Sequence, residues 1–197
     1  MNDWFTIDQV DKETFIISEY RHWEETHCYL LNGSEYSLLI DTGLGICNIY
    51  DEVIDLTNKH VAAVATHIHW DHIGGHKYFP DFYAHEDELN WLSGEFPLTM
   101  EQIKEMVVDR CDLPEGYDVN NYEFFQGTPT RVLKAYLNSL ERISTLPVKR
   151  VFPAHHSLKI QPEILIRMRD AFRQLQNEGK LHHGSGTFDY GDWSVWL

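Results

Sequence analysis

His67, His69, Asp71 and His72 fall within six positions, in the order His-x-His-x-Asp-His, and His76 follows Gly74-Gly75 just beyond. Imidazole nitrogens and carboxylate oxygens are the donors zinc takes in catalytic sites, with iron or manganese as alternatives. A divalent metal held by them would lower the pKa of a bound water and polarise a substrate oxygen. The plain alternative is a polar loop that happens to be rich in histidine. Three histidines and an aspartate in so short a stretch, directly after an apolar run, argue against it. His155, in Val151-Phe152-Pro153-Ala154-His155-His156, offers a further imidazole. By itself it reads as a solvated loop histidine. Beside the first motif it becomes a ligand candidate, ahead of His156. Asp41, in Asp41-Thr42-Gly43, could hydrogen-bond a ligand imidazole from behind and fix its tautomer, or could be a plain turn aspartate.

Short strands and helices must position these groups. Thr14–Ser18, Cys28–Leu31 and Tyr36–Ile40 read as strands, with Asn32-Gly33 as a turn between the last two. A helix is predicted from Asn48 to Thr57. The wholly apolar Val61–Ala65 predicts a strand buried on both faces, running straight into Thr66-His67. Gly74-Gly75 is expected to let the backbone bend sharply after the motif. A strand at Phe82–Ala84, a helix from Glu86 to Leu92 and a helix opened by a Thr99/Gln102 capping box follow. Residues 111–134 read as loop. Ala135–Thr145 predicts a helix, Val148–Phe152 a strand, Pro162 the first residue of a further helix, and Thr187–Leu197 a last strand. Trp70 is placed either in a pocket wall or in packing, with equal weight. Strands and helices mixed in this way predict an α/β fold with sheets covered by helices, as one domain over residues 1–197.

Composition narrows the partners. Sixteen Lys plus Arg against 31 Asp plus Glu give a net charge of −15. That weighs against nucleic acid and against an anionic membrane surface; a small-molecule substrate is the expected partner. No apolar run is long enough to span a bilayer, and the first residues show no secretory signal. Three scattered cysteines, Cys28, Cys47 and Cys111, fit a reducing compartment, so a cytoplasmic location is expected.

At these residues the chain resembles the metallo-β-lactamase superfamily. His67, His69, Asp71 and His72 match its HxHxDH motif, and Asp41-Thr42-Gly43, Gly74-Gly75 and Pro153-Ala154-His155 match its flanking signatures. The resemblance implies an αββα sandwich with metals at one edge. It implies that His67 and His69 hold one metal and that Asp71, His72 and His155 hold a second. A hydroxide on those metals would attack an ester, thioester or related bond, with Asp71 in the catalytic machinery. Thr66-His67-x-His69-x-Asp71-His72-x-Gly74-Gly75 resembles the glyoxalase II and acyl-thioester hydrolase branches. The implied cofactor is zinc, one or two ions, with iron or manganese as alternatives.

The pattern breaks downstream. The family expects a further histidine for the first metal and a bridging Gly-Asp, yet no histidine occurs from Glu86 to Ala154. The join near Lys134/Ala135 reads as an internal deletion of some tens of residues, leaving the sandwich incomplete in its second half. His76, His85, His156, His182 and His183 are the candidate substitutes. With His67 and His69 alone the first site is short of ligands, so at most one metal is expected to bind well. Three functions stay open: a metal-dependent hydrolase, impaired by the missing ligands; an inactive metal-binding or interaction module; and an iron redox protein, for whose flavin domain there is no room. Sheet edges exposed by a deletion would favour a homodimer.

Overall fold

A computed structural model describes residues 3–123, 131–133, 136–182 and 184–197, with backbone alone for 131–133 and 136–138. The chain falls into two compact units. One comprises Met1–Lys134 together with Pro153–Ser157; the other comprises Ala135–Phe152 and Leu158–Leu197. The first boundary therefore coincides with the Lys134/Ala135 junction, although those two residues lie outside the described ones.

The first unit is built on one seven-stranded sheet whose strands lie side by side in chain order. They are β1 (Thr6–Asp11), β2 (Thr14–Glu19), β3 (Thr26–Asn32), β4 (Ser37–Ile40), β5 (Val61–Val64), β6 (Asp81–His85) and β7 (Arg131–Leu133). The first four pair antiparallel, as short turns allow. From β4 onward every pairing is parallel. The change comes where helix α1 (Ile49–Leu56) supplies the crossover between β4 and β5. Asn48 caps α1 by accepting a hydrogen bond from the Tyr50 N–H at 3.1 Å. β1, and β7 within a stretch read as loop, were not expected from the sequence. β7 is three residues long and takes its place by pairing with β6, a long-range contact without local signature.

One face of the sheet carries a continuous buried row in register: Ile17 opposite Cys28, Leu30 opposite Leu39, Leu39 opposite Ala63, Ala63 opposite Phe82. Ile49 and Val53 of α1 cover its first half. Ile103 and Val107 of α3 (Met100–Val108) join Phe82 and Ala84 over the far half. α3 opens with the expected Thr99/Gln102 capping box. On the opposite face Ile40, Val64 and Tyr83 are only half-buried. That is the face a second sheet covers in a sandwich.

Several local expectations shift. Glu86–Glu88 is a short 3-10 turn followed by a π-helical turn at Trp91–Glu95, instead of one α-helix. In the second unit α4 (Tyr136–Ile143) and α5 (Ile164–Asn177) are helical. α5 starts after Pro162, which sits in the preceding turn. Val151 forms only an isolated bridge with Ile160, not a strand over 148–152. The tail makes a hairpin of β8 (Thr187–Asp189) and β9 (Ser194–Trp196), two strands where one was expected. Among the described residues of the second unit, this hairpin is the only sheet. No helix among the described residues is long and apolar enough to cross a membrane.

The glycine pair after the motif has a different purpose from a bend. Gly74 is in the right-handed helical region, with φ −58 and ψ −31. What demands glycine is closeness. A Cβ on Gly74 would lie 2.4 Å from the backbone carbonyl of Leu44, and one on Gly75 would lie 2.8 Å from the Thr42 carbonyl oxygen. The two loops cross backbone to backbone, tied by the Gly74 N–H to the Gly43 carbonyl at 2.9 Å. Gly74→Ala is expected to push these loops apart and cost about 1–3 kcal/mol, read as a lower urea midpoint with unchanged slope.

Candidate metal centre

The carboxyl ends of the parallel strands β4 and β5 open at one edge of the sheet, the place where open α/β sheets hold ligands. Asp41 follows directly on β4, and its φ of +60 is in the left-handed region. This turn swings the buried carboxylate across to the end of β5. There Oδ1 accepts from the Thr66 N–H at 2.7 Å, and Oδ2 accepts from the Thr66 hydroxyl at 2.8 Å. Oδ2 also meets His72 Nδ1 at 2.8 Å. Asp41 thus stands behind a motif histidine, in the role its position allowed.

His72 lies on the single turn α2 (Trp70–Ile73) that follows His69. With Nδ1–H donated to Asp41, its Nε2 faces the other way. His155 arrives from the distant loop 153–157 and donates its Nδ1–H to the Glu24 carbonyl at 2.9 Å. Its Nε2 therefore also bears a lone pair. The two Nε2 atoms are 2.9 Å apart, and Asp71 Oδ2 is 3.3 Å from the first and 3.4 Å from the second. Three electron-rich atoms aimed at one point repel unless a cation sits among them. Donors held about 2.0–2.1 Å from one ion at tetrahedral angles lie about 3.3–3.4 Å from each other. Two of the three separations match that value, and the third is short by a few tenths of an ångström. Asp71, His72 and His155 are the one such group of three among the described residues.

Without a metal, a proton takes the cation's place. Burial opposes charge on both Asp71 and His72, but their mutual hydrogen bond and the Asp41 bond outweigh it. His72 is raised to about 10 and Asp71 is held below the usual carboxylate range. Burial lowers His155, helped by the charge on His72.

His67 and His69 flank this group without completing a second one. Their ring centroids are 4.4 Å apart, and His67 lies 4.1 Å from the His72 ring. Burial, then the neighbouring His72 and His69, push His67 down to about 3, and burial lowers His69 as well. Both stay neutral at neutral pH. Trp91 stacks on His69 with its ring centroid at 5.7 Å. Among the described residues no third His, Cys, Asp or Glu donor joins this pair.

The candidate substitutes sit elsewhere. His76 is fully buried against Phe82, with Nδ1 on the Thr42 hydroxyl, and burial pushes it down to about 3. His85 accepts from the Asp87 N–H. His156 faces Glu25 at 3.4 Å. His182 pairs with Ser185 in the second unit, and His183 lies outside the described residues. Trp70 is in the core, not in a pocket wall. The sequence reading missed Glu24 and Glu88. Glu24 orients His155 through a main-chain carbonyl, which no side-chain pattern reveals. Glu88 accepts from the Ile68 N–H at 2.8 Å inside the motif loop. An acidic residue following the β6 strand was the only signal for it.

Residues 22–105 match the family model of the metallo-beta-lactamase superfamily. Over that segment the chain is similar to the superfamily. A human relative, acyl-coenzyme A thioesterase MBLAC2, is 26% identical over 147 residues, covering 67% of this chain and 52% of the relative. The chicken protein of the same name is 30% identical over 97 residues, covering 44% and 35%. The chain spans about half the length of the human relative. Among solved structures, a metallo-beta-lactamase from Pontibacter korlensis is 19% identical with a TM-score of 0.43, covering 66% of this chain and 53% of that one. The matched segment of the superfamily contains Asp41, the whole motif and Glu88, and stops short of His155.

Two outcomes are expected from this geometry. Asp41→Asn tolerates the left-handed backbone but removes the charge behind His72, so zinc affinity should fall about 10–100-fold in a chelator competition. In the unsubstituted chain the incoming metal must displace the His72 proton. Affinity should therefore rise with pH, about tenfold per unit across neutrality while one proton is released, as read by titration at several pH values.

Proposed function

We propose that the chain is a metal-dependent hydrolase acting on thioesters, through one metal held by Asp71, His72 and His155. The observation that carries this is the convergence of three lone-pair atoms with the spacing of metal donors. The imidazole and carboxylate set suits zinc, with iron or manganese as alternatives. Such a metal would lower the pKa of a water and polarise the thioester carbonyl. The relatives named acyl-coenzyme A thioesterases favour a thioester over other acyl bonds.

The chain's own groups do the rest. Asp41 and the Glu24 carbonyl take the Nδ1 protons of His72 and His155, leaving both Nε2 atoms as donors. Asp71 is anionic at neutral pH, so its carboxylate would help hold the metal and could accept a hydrogen bond from a water there. Three protein donors would leave room for substrate at such a metal. His67 and His69 present neutral imidazoles beside that group and, being two, would hold a second metal only weakly. The substrate is a small molecule, and the compartment proposed is the cytoplasm.

One observation favours a second reading, an inactive metal-binding module: no third donor completes the His67/His69 pair among the described residues. Elemental analysis together with thiol release from acyl-coenzyme A separates the two. Near one metal per chain with measurable thiol release supports the hydrolase, and Asp71→Asn or His155→Ala should then lower kcat/KM by about 100-fold or more. Near one metal per chain with no release over background supports the inactive module. Protein that retains no metal when dialysed against zinc would overturn both.

A further inference from the structure

His155 is delivered by a loop far along the chain, and residues 24–29 hold that loop. The His27 N–H donates to the Ala154 carbonyl at 2.8 Å, and Thr26 bridges His155 antiparallel. The Tyr29 hydroxyl donates to the Pro153 carbonyl. Within this clamp the His27 side chain is fully buried and has both ring nitrogens engaged. Nε2 lies 3.1 Å from the His156 carbonyl, which can only accept, so Nε2 carries the proton. Nδ1 is then a lone pair and accepts the hydroxyl proton of Ser18, itself fully buried, at 2.9 Å. The ring edge of Tyr20 packs against the imidazole, centroids 5.4 Å apart. The His156 carbonyl turns back toward His27 because His156 adopts a φ of +57, a left-handed conformation that a residue with a Cβ keeps only when its surroundings enforce it.

We propose that His27 is a positioning residue of the metal centre. Resting on the metal-binding reading above, the role is this: Ser18 holds the His27 ring in place, His27 fixes the carbonyl of His156, and His155 Nε2 is thereby aimed at Asp71 and His72 before any metal arrives. A donor already in place loses little freedom on binding, whereas a swinging loop must be ordered at the metal's expense.

Cobalt(II) uptake, followed by its visible absorption, and zinc competition test this on the full chain without reference to activity. His27→Leu is expected to weaken binding about 10–100-fold. His27→Gln, whose amide can still donate to the His156 carbonyl, should recover most of it. Because His27 acts through His155, adding His27→Leu to His155→Ala should cost nothing further. Full additivity, or a His27→Leu chain within about twofold of wild type, would overturn the proposal while leaving the metal site standing. Should His27→Leu not fold, Ser18→Ala carries the test. A loss of about threefold or more that vanishes in the His155→Ala background supports the role, and unchanged binding overturns it. A wild-type chain that takes up no cobalt would sink the metal reading and this role together.

Discussion

The buried carboxylate of Asp41 is the joint on which the site turns. A carboxylate out of water costs several kcal/mol unless its lone pairs are met. Here a main-chain N–H, a hydroxyl and an imidazole N–H meet them, all from the segment after β5. In meeting them, those groups are fixed themselves. Thr66 is pinned to the end of β4, and His72 is left with one ring orientation and one free nitrogen. The left-handed backbone at residue 41 is what carries the carboxylate across from one strand end to the next. Glycine closeness seals the arrangement from below, where Gly74 and Leu44 pass at a distance no side chain would permit.

From that joint the donor set acquires its direction. Asp71 comes from the same turn as His72, so two of three donors are placed by local geometry. The third has to be brought by a loop more than eighty residues later in the chain. It is locked by main-chain hydrogen bonds and the buried His27. Three donors converge and two further imidazoles stand beside them unaccompanied. The same contrast separates this group of three donors from the two-ion arrangement that the superfamily resemblance implies.

Much of this was legible in the chain before any fold was known. The motif spacing after an apolar strand, the aspartate at the end of β4, the α1 helix with its Asn48 cap and the Thr99/Gln102 box are local patterns, and local hydrogen-bond geometry realises them. The motif assigned Asp71 and His72 to one point, and the downstream Pro153-Ala154-His155 suggested the third donor. The absence of any histidine between Glu86 and Ala154 was the ground for expecting at most one firmly held metal.

Other features are decided only by the folded chain, because they depend on which distant groups share a space. His76 reads in sequence as one more motif histidine. Burial against Phe82 makes it a neutral core residue. Gly74 reads as a hinge and is in fact a contact. Glu24 and His27 carry no pattern at all, since one acts through its carbonyl and the other through the carbonyl of His156. The sequence by itself determined which residues could bind a cation and how many donors it could offer. The tertiary structure decided which donors meet, because only the pairing of β3 with the loop at 153–157 brings His155 to the end of the parallel strands.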